Sequence, residues 1–207
     1  MAHPPLNRRR LLGLDRSGGP PPGTRPGDPL QPWTIPNAVG YVRLALLPLF
    51  LVLGLTSGDG RSDAAAAVFV VIGGTDYLDG ILARATGQFS RMGTLLDPLV
   101  DRLLVVSGVI VAWNYELLPR WALGLLVARE LVMLALAELA LRRGLDLSVS
   151  MLGRFAVWPT MFSLFLAMAS TTWIAPALLY VGLAMTLGAS ALYVKDGWRA
   201  TRPSTSS

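Results

Sequence analysis

Asp76-Tyr77-Leu78-Asp79-Gly80-Ile81-Leu82-Ala83-Arg84, then eight residues, then Gly93, Asp97 and Asp101, set four carboxylates into a chain otherwise built for lipid. At about 100° of rotation per residue, Asp76, Asp79, Gly80 and Ala83 share a narrow arc of one helix. Gly93, Asp97 and Asp101 form an i, i+4, i+8 stripe on the next. The stretch therefore predicts two helices that face each other across acids and small residues, and the apolar runs around it extend this to an all-α membrane bundle.

Clustered carboxylates repel one another, and each ionised one costs about 2.5–3.5 kcal/mol at mid-membrane on insertion scales. Hard divalent cations offset such a cost. Oxygen-only ligands, in a chain with no Cys and a single His, point to magnesium or manganese rather than zinc or copper. Gly80, Ala83 and Gly93 leave room for a ligand to approach backbone, and Arg84 suits a phosphate. The competing structural reading pairs the acids in interhelical salt bridges, for which Arg84 and Arg102 are the partners near in sequence. A cation transporter is the alternative from another class, since intramembrane acids mark ion pathways; it has no use for the small residues and Arg84 at these spacings.

The pattern Asp-x2-Asp-Gly-x2-Ala-Arg-x8-Gly-x3-Asp-x3-Asp resembles the signature of the CDP-alcohol phosphotransferase family, and all eight defined positions are filled. Eight specified residues at fixed spacing arise by chance in on the order of one window in a billion, so the match is specific. Thr34-Ile35-Pro36-Asn37 through Arg43 also resembles the first helix of family members that make phosphatidylglycerophosphate or, releasing CMP, cardiolipin. Likeness to these members extends over residues 33–200.

Composition agrees with a membrane setting: 53% hydrophobic, 15% charged and a mean hydropathy of +0.51. The net charge of +5 does not indicate nucleic acid, because Lys and Arg gather at the ends of apolar runs where they would meet anionic lipid. Residues 1–32 are Pro- and Gly-rich with Arg8, Arg9, Arg10, Arg16 and Arg25, and read as a disordered basic cytoplasmic tail. Arg8-Arg9-Arg10 superficially suggests a twin-arginine export signal, but Ser17 to Pro22 replaces the apolar core such a signal needs.

Six spans are expected, over about 33–55, 64–84, 93–113, 119–141, 152–169 and 174–194, with 201–207 a flexible tail. Trp33, Thr34 and Pro36 supply an interfacial aromatic, a capping hydroxyl and a first-turn proline for the first. The basic residues put both termini and the 2–3 and 4–5 loops in the cytoplasm, leaving Arg61 and Arg120 opposite. Arg43, inside the first span, either snorkels to the headgroups or holds the donor's phosphates.

The resemblance implies that Asp76, Asp79, Asp97 and Asp101 bind two divalent cations, Mg or Mn, and that Asp101 is also the general base. Gly80, Ala83, Arg84 and Gly93 would line the cytidine and diphosphate site. The implied reaction displaces CMP from CDP-diacylglycerol by an acceptor hydroxyl. Glycerol 3-phosphate leads as acceptor, then phosphatidylglycerol, then inositol phosphate, with Arg129 and Arg154 as candidate acceptor ligands. Gly153-Arg154 stands where many relatives have Gly-Lys followed three residues later by Thr, and here that later position is Val157. A homodimer in the plasma membrane, with its active site at the cytoplasmic face, completes the expectation.

Overall fold

A computed structural model describes residues 29–86, 89–142 and 151–200. Among these residues there are six helices and no strand: α1 Ile35–Leu55, α2 Asp63–Thr86, α3 Arg91–Asn114, α4 Arg120–Arg142, α5 Met151–Ala169 and α6 Ile174–Ala200. Three carry stretches long and apolar enough to cross a membrane, Ile35–Leu55, Asp63–Ala83 and Ile174–Ala191, and Val157–Ala169 is a shorter apolar stretch. Only 28%, 29% and 33% of those three windows is buried inside the protein. Val52 on α1, Val70 and Val71 on α2 and Val181 on α6 are exposed instead, the arrangement expected where lipid is the solvent.

The helix ends follow their capping chemistry. Thr34 Oγ1 accepts from the Asn37 amide at 3.4 Å, and Ser90 Oγ accepts from the Gly93 amide at 3.0 Å, three residues into the turn that opens α3. The Pro119 carbonyl takes the first amides of α4, from Ala122 and Leu123. Pro98 stands at the eighth residue of α3, because the helix begins two residues before the expected Gly93. There it removes the amide that would bond the Thr94 carbonyl.

The chain divides into two compact units. The first comprises the chain to Gly54 together with Ala64–Ser107. Its core is built from Leu47, Phe50, Phe69, Ile72, Val100 and Leu104, with the Phe50 and Phe69 rings 5.4 Å apart. The buried residues of α1 are Pro36, Asn37, Gly40, Arg43, Leu47, Phe50 and Gly54, a single stripe at helical spacing.

The second unit comprises Leu55–Asp63 and Gly108–Ser207. Here α5 packs along α6 through Leu164, Met168, Leu179 and Leu183, and the buried Ser163 hydroxyl donates to the Ala175 carbonyl at 2.6 Å. The Trp121 ring stacks on Tyr180 at 5.5 Å, tying α4 to α6.

The 56–62 turn of this unit depends on two glycines at positive φ, Gly58 (88°) and Gly60 (78°). Only Gly60 is also enclosed: a Cβ there would sit 2.7 Å from the Cβ, Cγ and Cδ2 of Tyr115. That ring cannot swing away freely, because its hydroxyl donates to the Leu55 carbonyl. Gly60→Ala is therefore expected to destabilise by about 2–4 kcal/mol, from left-handed backbone plus overlap. Gly58→Ala, with nothing within 4 Å, should cost only about 1–2 kcal/mol. Thermal unfolding of the two variants in detergent checks the difference.

Candidate active site

The first unit gathers its charged chemistry around Arg43. The side chain is 1% exposed and lies in the middle of the inward stripe of α1, so the guanidinium meets protein acceptors rather than headgroups. Nε donates to the Ile72 carbonyl at 2.9 Å, Nη1 to Asp76 Oδ1 at 3.0 Å and Nη2 to Asp101 Oδ1 at 2.7 Å. One cation thus joins α1, α2 and α3. Snorkelling, one of the two roles expected for Arg43, is excluded by this burial. The geometry also binds the guanidinium to carboxylates and a carbonyl instead of leaving it presented to a phosphate.

Asp76 and Asp101 keep 43% and 41% of their side-chain surface exposed. Each contacts Arg43 through Oδ1, so the carboxylates are held from one side and open on the other. Asp97 lies one turn before Asp101 on α3 and is partly exposed. Asp79 and Gly80 fall on α2 within a turn of Asp76, and Arg84 a further turn on; these three side chains lie outside the described residues. Among the described residues no group of three or more acidic or histidine side chains converges closely enough for a metal ion. The donor set that is brought together, two carboxylates from different helices converging on one guanidinium, fits a hard divalent cation in chemistry and in its open face.

Gly93 packs against a polar pair. A Cβ at that position would come 2.9 Å from Asn37 Oδ1 and 3.3 Å from Ser90 Oγ, so the space it leaves is occupied by this polar pair. Asn37 is buried. Its Oδ1 accepts from Ser90 Oγ at 2.8 Å, while Nδ2 donates to the carbonyls of Gln31 at 3.0 Å and Pro32 at 3.1 Å. The Met92 amide donates to the Leu30 carbonyl at 3.0 Å. These bonds fasten the start of α3, which carries Asp97 and Asp101, to α1 and the segment before it.

Of the candidate acceptor ligands, Arg129 lies on α4 in the second unit and is 14% exposed. Its Nε donates to Ser190 Oγ at 2.9 Å and its Nη1 bonds the neighbouring Glu130 carboxylate; Ser190 in turn donates to the Thr186 carbonyl at 2.8 Å. Arg154 is on α5, its side chain outside the described residues. Ala83 is a partly exposed residue of α2.

A sequence model of the CDP-alcohol phosphatidyltransferase family matches residues 33–188, three quarters of the chain and all of the Asp76–Asp101 motif. The chain belongs to this family. A CDP-alcohol phosphatidyltransferase relative, the cardiolipin synthase (CMP-forming) of Streptomyces coelicolor, is 38% identical over 167 residues, 77% of each protein. The CDP-diacylglycerol–glycerol-3-phosphate 3-phosphatidyltransferase of Bacillus subtilis is 30% identical over 138 residues, 61% of this chain and 72% of its own. The enzyme of the same name from Shigella flexneri is 31% identical over 168 residues, 77% of this chain and 88% of its own.

Proposed function

We propose that the protein transfers the phosphatidyl group of CDP-diacylglycerol to an alcohol with release of CMP. The observation that carries this is the meeting of Asp76 and Asp101 on Arg43, in a chain whose family and relatives are phosphatidyltransferases. Asp76, Asp79, Asp97 and Asp101 would hold two divalent cations, magnesium or manganese. When bound, these neutralise the diphosphate and stabilise the attacking and leaving oxygens. Asp101 takes the proton of the acceptor hydroxyl as its oxygen bonds to the lipid phosphorus; the bond from that phosphorus to the bridging oxygen breaks, and CMP leaves with the pair of electrons. Gly80, Ala83, Arg84 and Gly93 are assigned to the cytidine and diphosphate.

The three apolar helices support a membrane protein, and the finer reading has six spans with both termini and the active site cytoplasmic. Residues 1–32 and 201–207 are tails flanking the membrane domain at 33–200, and the enzyme works as a homodimer in the plasma membrane. Two acceptors have support from the named relatives. Glycerol 3-phosphate corresponds to the Bacillus and Shigella enzymes. Phosphatidylglycerol, the acceptor a CMP-forming cardiolipin synthase requires, is favoured by the higher identity to the Streptomyces enzyme.

The test is CMP release by purified protein in liposomes containing CDP-diacylglycerol and magnesium or manganese, with glycerol 3-phosphate, phosphatidylglycerol or inositol phosphate supplied in turn. Release with phosphatidylglycerol alone is the expected result; release with glycerol 3-phosphate alone reverses the acceptor assignment. Chelation should stop release in either case and added cation should restore it. Folded protein that moves cations and releases no CMP would sink the enzyme reading.

A further inference from the structure

We propose that Arg43 is a positioning residue of the active site: a fixed guanidinium on α1 that sets Asp76 of α2 against Asp101 of α3 and presents the two carboxylates as a preformed pair to a divalent cation. The inference rests on the metal reading of that site and adds to it a residue outside the Asp76–Asp101 motif.

Three observations carry it. First, Arg43 is braced independently of the acids. Its Nε bond to the Ile72 carbonyl reaches α2 one turn before Asp76, and its 1% exposure leaves the side chain no second place to go. Second, the guanidinium reaches both acids at once, Nη1 to Asp76 Oδ1 and Nη2 to Asp101 Oδ1. The remaining surface of both carboxylates, 43% and 41% of the side chains, stays open for another cation. Third, the charge on Arg43 is permanent and its donors diverge in a plane, so a rigid fork sets the spacing of the two carboxylates. Without it, two carboxylates on separate helices repel and the pair opens. A salt bridge serving stability alone would need neither the shared use of one guanidinium by both acids nor their open faces.

The experiment uses full-length protein in detergent micelles, wild type beside Arg43→Lys and Arg43→Gln, with Mn2+ alone as probe and no lipid substrate. Free Mn2+ is followed by electron paramagnetic resonance, and thermal unfolding is recorded without metal. Arg43→Lys keeps the charge and can reach either acid, so it folds; what it lacks is the fork that holds both at once. The expected result is a Mn2+ dissociation constant raised about tenfold or more in both variants, the range seen when a group supporting metal ligands is lost. A folded Arg43→Lys that binds Mn2+ as wild type does overturns the proposal and leaves Arg43 a stabilising bridge. Tighter binding overturns it in the opposite sense, making Arg43 a competitor of the metal. If wild type releases CMP yet binds no Mn2+, the metal reading fails first and the positioning role falls with it.

Discussion

Asp101→Asn should reduce CMP release about a thousandfold or more while the protein keeps its fold. The amide oxygen of Asn can still accept from Arg43 Nη2, replacing the 2.7 Å contact with one of similar geometry, so the join between α1 and α3 survives. Two things are lost. An amide cannot accept the acceptor's proton, and loss of general-base function alone is worth about 10²–10⁴ in rate. It is also a weaker ligand for a hard cation, so added manganese should not rescue the variant. Removing one of two neighbouring negative charges offsets part of the lost ion pair, and unfolding temperature should move little. Asp101 is half-exposed, which limits what its ion pair contributes to stability. The measurement is turnover of the variant in liposomes beside its thermal unfolding in detergent. A tenth of wild-type rate in Asp101→Asn would remove the residue from the role of base.

The largest effect on stability is expected at Gly182. This residue of α6 faces Thr160 of α5 so closely that a Cβ would lie 2.9 Å from the Thr160 amide nitrogen and 3.3 Å from its Cα. Backbone cannot rotate out of the way as a side chain can. Gly182→Ala therefore requires the helices to separate by several tenths of an ångström, at about 1–3 kcal/mol. Gly182→Leu pushes them apart across the contact that buries Leu164, Met168, Leu179 and Leu183, and should cost more than about 4 kcal/mol or prevent accumulation of folded protein. In lipid the apolar effect does not drive helices together, so close packing between small residues carries more of the association. Gly124→Ala is the control within the same unit: its nearest neighbours, on the Trp113 ring, are at 3.6 and 3.9 Å, ordinary contact. Monodispersity after detergent extraction, and the unfolding temperature of whatever is recovered, separate the three variants. Equal stability for Gly182→Leu and Gly124→Ala would show that α5 and α6 do not meet at Gly182.

The helices were legible because long apolar runs and capping residues mark their extents. Thr34 predicted the start of α1, and the hydropathy runs placed the other boundaries within one or two residues, except that α6 continues to Ala200 rather than stopping near 194. The motif aspartates stand out in the sequence for a different reason, because acids are costly in such a chain; of the four, Asp76 and Asp101 are seen to converge. Arg43 was visible as a charge but misread. Sequence proximity offers the acids Arg84 and Arg102 as partners, whereas the cation that bridges Asp76 and Asp101 comes from 33 and 58 residues away. One signal pointed to it: Asn37, Gly40, Arg43, Leu47 and Phe50 recur at helical spacing, putting Arg43 on the inward stripe.

Glycines were harder to interpret. Gly93 and Gly182 look alike in the sequence, and only the packing shows that one admits a polar pair and the other a neighbouring backbone. Composition announces that a close approach occurs somewhere but does not name the group that approaches.

The bridge at Arg43 also has a consequence for how the protein is made. Chains emerge from the ribosome N-terminus first, so α1 reaches the bilayer before the helices that carry its acidic partners. A cation near the middle of a span costs about 2.5–3.5 kcal/mol on insertion scales, and Arg43 is the one charged residue among the 21 of α1. The apolar remainder of the helix can outweigh that cost and let it insert alone. It nevertheless waits there with an unanswered charge until α2 and then α3 deliver Asp76 and Asp101. A nascent chain halted between them would leave a lone arginine in lipid, a cost that only the completed three-helix junction removes.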